Sequence, residues 1–438
     1  MSAKDNANLL DSWKEISEYL KKDRRTLLEW EENGLPIRRY SPDSPKSRVY
    51  AYTDEIDRWL QDRQAKKKKI FVFEKLKKNK LLYLLFALPF LFSLVLFVKV
   101  NNSNNPYDYR IFNSRLVIIN EKGNVLWRYD TQIKNLVDEG TYRTHFQYKK
   151  NNFSGKNKRD FPHLIIKDID DDKKNEVLFS IQTQDEWNEG TLFCFDYKGN
   201  LKWHYKVGRE IKFGSKTYSG NFRIDGFDLC DFDGNGSFEI IVNSRHKLYY
   251  PSQLAILNNE GYLLGEYWNS GYLTDYAFVD LDSDGYKEII YGGINNEYKK
   301  ACLIVFDARN ISGCSPQGDS YRCEGLKQGS EKYYILFPRT DVDQVYTIHN
   351  VLNKVDVLGN KRISVVPDFS KIYYELNFNM QLEEIRLSDH FEMTHRKALQ
   401  EGKIGSIIND EYKRRLKNGI LYFNGKNWET KPSQVKIF

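Results

Sequence analysis

The sequence predicts a multidomain protein with three parts. These are a small α-helical domain of winged helix-turn-helix type, one transmembrane helix, and an all-β, propeller-like domain carrying calcium loops. Three observations predict it. The positive charge is concentrated in the first fifth of the chain, 18 consecutive uncharged residues follow at 81–98, and an Asp-rich loop recurs three times between strand-like runs further on. The implied boundaries are 1–65 for the first domain, 66–80 for a basic linker, 81–98 for the span and 105–438 for the β domain.

Charge locates the anionic partner. The net charge is +7, but residues 1–80 hold 20 Lys and Arg against 14 Asp and Glu, whereas the remainder holds 47 against 46. A basic N-terminal segment suits nucleic acid or a lipid surface.

Within that segment, Ser12 and Glu15 have the spacing of a capping box. Trp13, Ile16, Tyr19 and Leu20 then share one helical face. Asp23 is placed to cap RRTLLEWEE, which ends at Asn33-Gly34 and has Leu27, Leu28 and Trp30 on its apolar side. Only Lys21-Lys22 separates the two helices, a tight helix-turn-helix connection. Two extended pieces, Leu35–Tyr40 and Arg48–Tyr52, flank a polar loop and form a wing. Thr53 then opens DEIDRWLQDR, with Ile56, Trp59 and Leu60 turned inward.

The blocks SWKEISEYL, RRTLLEWEENGLPIRR and RVYAYTDEIDRWL resemble, in order and spacing, the excisionase/MerR-like winged helix-turn-helix family. That resemblance implies a second helix in the DNA major groove and a wing on the backbone. Carried over by position, Arg24, Arg25 and Thr26 open the recognition helix, and Arg38, Arg39, Lys46 and Arg48 belong to the wing. Arg pairs with guanine edges and with phosphates, so the chemistry agrees. One such module makes few phosphate contacts, which favours a homodimer on DNA. The competing reading is a small helical domain that binds protein.

The run LLYLLFALPFLFSLVLFV, Leu81 to Val98, would extend about 27 Å as a helix, close to the hydrocarbon thickness of a bilayer. It is apolar on all sides, unlike an amphipathic core helix. Eight lysines against one Glu74 precede it at 66–80, and a nearly uncharged NNSNNP follows Lys99. Positive flanks stay cytoplasmic. The expected location is therefore a bacterial-type cytoplasmic membrane, crossed once, with the N-terminus inside and the C-terminal domain extracytoplasmic.

The β domain carries the repeats. Asp168, Asp170, Asp172 and Glu176 run into VLF; Asp231, Asp233, Asn235 and Glu239 run into IIV; Asp280, Asp282, Asp284 and Glu288 run into IIY. The spacing 1, 3, 5, 9 is kept each time, with Lys174, Ser237 and Tyr286 offering a backbone carbonyl at position 7. Alternate acidic residues in a tight loop converge hard oxygens, the ligands Ca²⁺ takes. The alternative is a turn whose side chains cap its own backbone. The last ligand at 9 and the β flanks exclude an EF-hand. The first loop has Lys173 where the others have Gly236 and Gly285, a costlier left-handed position.

A second repeat interleaves: LVIINEKGNVLWRY (116–129), LFCFDYKGNLKWHY (192–205) and LAILNNEGYLLGEYW (254–268), each a hairpin with a Gly turn. Such periods point to a propeller. Residues 110–310 resemble the FG-GAP/VCBS repeats of integrin-like β-propellers. After 320 the pattern fades, although LNKVDVLGNKRISVV and KIYYELNFNMQLEEIRL still read as strands, FEMTHRKALQEG as a helix and GILYFNGKNWE as a closing hairpin.

All five cysteines lie beyond residue 100. Cys314 and Cys323 are close enough in sequence to close a short loop, and an odd count leaves at least one thiol unpaired. No HExxH, GxSxG or phosphate-loop motif is present, so no enzyme is expected. The expected function is a membrane-tethered one-component transcriptional regulator, with an extracytoplasmic calcium-binding propeller that senses a ligand or partner. The alternative is a surface adhesion or binding protein whose cytoplasmic domain only anchors it.

Overall fold

The computed structural model describes residues 8–41, 47–64, 104–144, 162–184 and 190–435. It divides into two units, Met1–Lys99 and Val100–Phe438. The basic linker 66–80, the apolar run 81–98 and Lys46 lie outside the described residues.

The N-terminal unit is built from β1 (Leu9–Leu10), α1 (Trp13–Leu20), α2 (Arg24–Glu32), β2 (Arg38–Arg39), β3 (Val49–Tyr52) and α3 (residues 53–64). Ser12 caps α1 by accepting the Glu15 N–H (3.2 Å), and Lys21 turns the chain out of it at φ +48°. Ile16, Leu27, Leu35, Val49, Ala51 and Ile56 form the core, with Trp30 and Trp59 packed against it.

The second unit opens with β4 (Asp108–Phe112), β5 (Arg115–Ile119), β6 (Val125–Asp130) and α4 (Glu139–Thr144). Next come β7 (Leu164–Lys167), β8 (Glu176–Ser180), β9 (Thr191–Phe195), β10 (Leu201–Lys206) and a hairpin of β11 (Ile211–Phe213) and β12 (Lys216–Tyr218). Then follow β13 (Phe222–Cys230), β14 (Glu239–His246), β15 (Ser252–Leu257), β16 (Leu263–Asn269), β17 (Leu273–Val279), β18 (Glu288–Asn295), β19 (Lys300–Asp307) and β20 (Tyr333–Leu336). The chain ends in α5 (Asp341–Tyr346), β21 (Leu352–Leu358), β22 (Arg362–Pro367), β23 (Tyr373–Asn377), β24 (Leu382–Arg386), α6 (Asp389–Gln400), α7 (Asp410–Asn418), β25 (Leu421–Phe423) and β26 (Trp428–Glu429).

Among the described residues these strands form successive antiparallel meanders, β4–β6, β7–β10, β13–β16, β17–β20 and β21–β24, a β-propeller-like arrangement. The hydrophobic run after each Asp loop has a physical explanation. It is an inner strand of its sheet, and alternate residues of a strand point to opposite faces. Val177 and Phe179 enter the core shared with β4–β6, while Leu178 between them enters the core shared with β13–β16. Ile240 and Ile241 divide in the same way between two cores, as do Ile289 and Ile290. Both faces of these strands are covered, so they are apolar throughout rather than alternating.

Each outer hairpin turn is closed by an Asn or Asp. Asn120, Asp196, Asn258 and Asn377 each accept, through one side-chain oxygen, the N–H groups two and four residues on, at 2.8–3.1 Å. The turn glycines are needed both for backbone and for space. Gly199 has φ +89°, and a Cβ there would lie 2.7 Å from the Trp127 ring, whose Nε1 donates to the Tyr197 carbonyl (3.2 Å). Gly261 meets Trp203 in the same way, and Trp203 Nε1 donates to the Asn259 carbonyl (2.9 Å).

Three parts of the expected fold class are corrected. The first unit is not the small α-helical winged helix-turn-helix domain expected. It is a mixed unit in which β1 pairs with β3 and β3 with β2, making a three-stranded sheet beside the helices. The second unit is not all-β. Val342 of α5, Phe391 of α6, and Tyr412 and Leu416 of α7 join the core between β17–β20 and β21–β24, which is why the strand repeat fades there. Finally, no helix among the described residues is long and apolar enough to cross a membrane.

Candidate cation loops and basic face

On the N-terminal unit, Asp23 stands in extended backbone ahead of α2. It accepts both the Thr26 N–H and the Thr26 hydroxyl, each at 2.9 Å. These bonds hold the Asp23 carboxyl below its ordinary range. Thr26, expected to face DNA, is thereby engaged in closing the helix start. Arg24 lies over the Trp13 ring (5.8 Å), and Arg24 and Arg25 are both exposed.

The arginines of β2 and the one just ahead of β3 are paired within the unit: Arg38 with Glu55 (2.8 Å), Arg39 with Glu31 (2.7 Å) and Arg48 with Asp11 (3.0 Å). The sequence reading missed these three partners. Exposed pairs of this kind contribute about 0–1 kcal/mol each, so a phosphate can replace the carboxylate at small cost. Arg39 and Glu31 are the most enclosed of the three pairs and the least free to exchange.

The three Asp loops share one backbone scheme. The position-6 N–H (Lys173, Gly236, Gly285) donates to Oδ2 of the first Asp, Asp168, Asp231 or Asp280, at 2.9, 2.9 and 3.1 Å. The position-7 N–H (Lys174, Ser237, Tyr286) donates to Oδ1 of Asp172, Asn235 or Asp284, at 2.6, 2.7 and 2.8 Å. The closing glutamates Glu176, Glu239 and Glu288 use Oε2 to accept the N–H of Ile169, Phe232 and Leu281, at 3.2, 3.4 and 2.8 Å. Lys173 is left-handed (φ +68°), where Gly236 and Gly285 have +87° and +90°; a side chain there costs about 1 kcal/mol.

Backbone capping uses only part of the oxygens. In the first loop, oxygens of Asp168, Asp170 and Glu176 lie within 4.8 Å of one another; in the third, those of Asp280, Asp282 and Glu288 do the same. Asp168 Oδ1 and Asp280 Oδ1 are buried with no hydrogen-bond partner. What faces these oxygens distinguishes the loops. Lys202 of β10 reaches Asp170 Oδ2 (2.9 Å) and Glu176 Oε1 (3.1 Å). Lys332, just ahead of β20, reaches Asp282 Oδ2 (2.8 Å) and Glu288 Oε1 (2.6 Å). Glu176 and Glu288 are each 1% exposed. Burial alone would lower both lysine pKa values; the carboxylates more than offset this and raise them.

The second loop differs. The residue matching Lys202 in its hairpin is Leu264, 60% exposed. Asp233 and Glu239 border a cavity of about 370 Å³, also lined by Leu264, Gly265, Tyr286 and Arg309. The Arg309 guanidinium on that cavity is bound to Asp284 (2.9 Å) and Asp307 (2.6 Å) of the third loop and its turn. Burial raises the Glu239 pKa. Lys287 Nζ donates to the Asp231 carbonyl (3.0 Å) and not to a carboxylate. Ser237, expected as a carbonyl ligand, also accepts from Asn259 Nδ2 through its hydroxyl (2.9 Å).

Sequence spacing could not reveal the two lysines, because they lie 26 and 44 residues beyond the glutamates they contact. Strand pairing alone brings them there. Elsewhere, His163 is buried. It lies just ahead of β7, and burial lowers its pKa to about 3.

No family model matches this sequence, so neither family resemblance gains support from that comparison. No curated protein matches it either. Two solved structures are similar in part. One is a protein of unknown function from Bacteroides caccae, at 9% identity and TM-score 0.27, covering 65% of this chain and 72% of that one. The other is the Dos1 propeller, at 7% identity and TM-score 0.31, covering 65% and 68%. Similarity this low carries no argument about function.

Proposed function

We propose that this chain is a DNA-binding regulator attached to the cytoplasmic membrane, whose C-terminal unit binds calcium and an extracytoplasmic ligand or protein. The observation that carries the reading is the set of exposed arginines on the N-terminal unit. The exposed Arg24 and Arg25 open α2, and Arg38 on β2 and Arg48 just ahead of β3 sit in pairs that a phosphate can displace. In this reading the first turn of α2 reaches base edges, and the strand arginines bind the backbone. Two copies act together, because one small module buries little surface on DNA. The likeness of the N-terminal blocks to excisionase/MerR-like sequences supports this use.

Calcium binding is proposed chiefly for the second loop, Asp231, Asp233, Asn235 and Glu239. Its carboxylates are less closely gathered than those of the first and third, but Asp233 and Glu239 border open space at Leu264 where the first loop has Lys202. Its likeness to FG-GAP/VCBS repeats supports the choice of cation. Attachment to the membrane rests on the sequence of 81–98 and its lysine-rich flank. The test is sequencing of genomic DNA recovered with the tagged full chain, beside an Arg24→Glu, Arg25→Glu variant. Discrete enriched sites lost in the variant support the reading. Recovery equal to an untagged control favours the adhesion or binding protein instead.

A further inference from the structure

Between β19 and β20 the chain makes a long excursion, residues 308–332, whose only regular element is the short turn Asp319–Tyr321. It is held by scattered backbone bonds. The Cys314 N–H donates to the Lys327 carbonyl (3.1 Å), the Gly329 N–H to the Cys314 carbonyl (2.8 Å), the Glu324 N–H to Lys212 (2.9 Å) and the Gly214 N–H to Arg322 (2.8 Å). The last two tie the excursion to the β11–β12 hairpin. Cys314 and Cys323 stand nine residues apart on this excursion, and both side chains turn inward into the core shared by β7–β10 and β13–β16.

The five cysteines are thiols, and these two are hydrogen-bonded to each other. Cys314 Sγ also donates to the Lys327 carbonyl (3.3 Å) and accepts from Gln317 Nε2 (3.0 Å). By contrast, Cys194 lies on β9, Cys230 on β13 and Cys302 on β19, each inside a sheet.

From this placement we infer that Cys314 and Cys323 are an oxidation site that forms an intrachain disulfide, clasping the excursion to itself. The donor is a disulfide compound, small-molecule or on a thiol–disulfide oxidoreductase. The Cys314 thiolate attacks one donor sulfur, the donor S–S bond breaks, and one donor thiolate leaves and takes up a proton. The Cys323 thiolate then attacks Cys314 Sγ, the Cys314–donor bond breaks, and the second donor thiolate leaves and is protonated. Two protein thiols are oxidised and one donor disulfide is reduced. Of the two buried thiols, Cys314 is the one whose thiolate form is favoured. The hydrogen bond from Cys323 lowers its pKa, and the same contact, followed by burial, raises that of Cys323. A crosslink here closes a short loop, 314–323, and stabilises the fold by constraining the unfolded chain. It also suits the oxidising compartment proposed for this unit, although the chemistry does not depend on that location.

The test uses the purified full chain and oxidised glutathione, with thiols counted after unfolding and peptides mapped without reduction. The expected result is three remaining thiols, a 314–323 linked peptide, and a mass lower by two hydrogens. Cys323→Ser should instead trap a glutathione adduct on Cys314, and Cys230→Ser should leave the linked peptide unchanged. Five thiols remaining, a different linked pair, or a stable adduct on the wild-type chain would each overturn the inference.

Discussion

Replacing Lys332 by Met removes the ammonium that faces Asp282 and Glu288 in the third Asp loop and leaves the loop's backbone scheme intact. Lys332 Nζ is 2.6 Å from Glu288 Oε1 and 2.8 Å from Asp282 Oδ2, and Glu288 is 1% exposed. Stranding a buried charge costs about 3–5 kcal/mol. Asp282 is about half-exposed, and Glu288 keeps the Leu281 N–H (2.8 Å), so the lower end applies, about 3 kcal/mol. In a unit of this size each kcal/mol moves the midpoint by about 2 °C, giving a drop of roughly 6 °C without calcium. The vacated oxygens are those a divalent ion would take. Calcium at about 100 times its Kd would return about 2.7 kcal/mol, nearly the whole loss. Scanning calorimetry of the full chain in chelator and in calcium measures both quantities. The reasoning is refuted if the variant matches wild type in chelator, or if calcium stabilises it no more than it stabilises wild type.

Other predictions address the second loop and the buried acid. Calcium should raise the unfolding midpoint of the wild-type chain, magnesium much less, and Asp233→Ala should remove most of that gain; identical calcium shifts in wild type and variant would exclude the second loop. Glu331 is 1% exposed, and burial raises its pKa to about 8. The folded state therefore holds a proton that the unfolded chain releases near its ordinary 4.5. Stability from this group is full below that value and is lost as pH rises to about 8, by up to about 5 kcal/mol. Glu331→Gln should flatten urea-unfolding stability across that window; an unchanged slope would show that Glu331 is ionised in the fold.

Local chemistry was the legible part of this sequence. The Asp-loop spacing, the Gly turns and the Ser12 and Asp23 caps depend on residues within a few positions of each other, and each stands where its spacing placed it. What escaped depends on pairing across distance. Leu9–Leu10 is too short to read as a strand, yet it pairs with β3 and makes the first unit a three-stranded sheet. Arg38, Arg39 and Arg48 read as free cations, because their acidic partners are chosen by tertiary contact. Lys202 meets Glu176 only through strand pairing, and Leu264 at the matching place gives no hint that a charge is missing. Past residue 320, α5, α6 and α7 replace the repeat with helical packing against the last sheet.

DNA affinity of the purified full chain as a function of salt tests the central claim most directly. The account predicts binding at low salt that weakens steeply as salt rises, because Arg38 and Arg48 displace counterions from phosphates. Arg48→Ala should lower the slope of log affinity against log salt by about 1 on every sequence tested. A folded chain with no measurable affinity at low salt, or an affinity indifferent to salt, would contradict it.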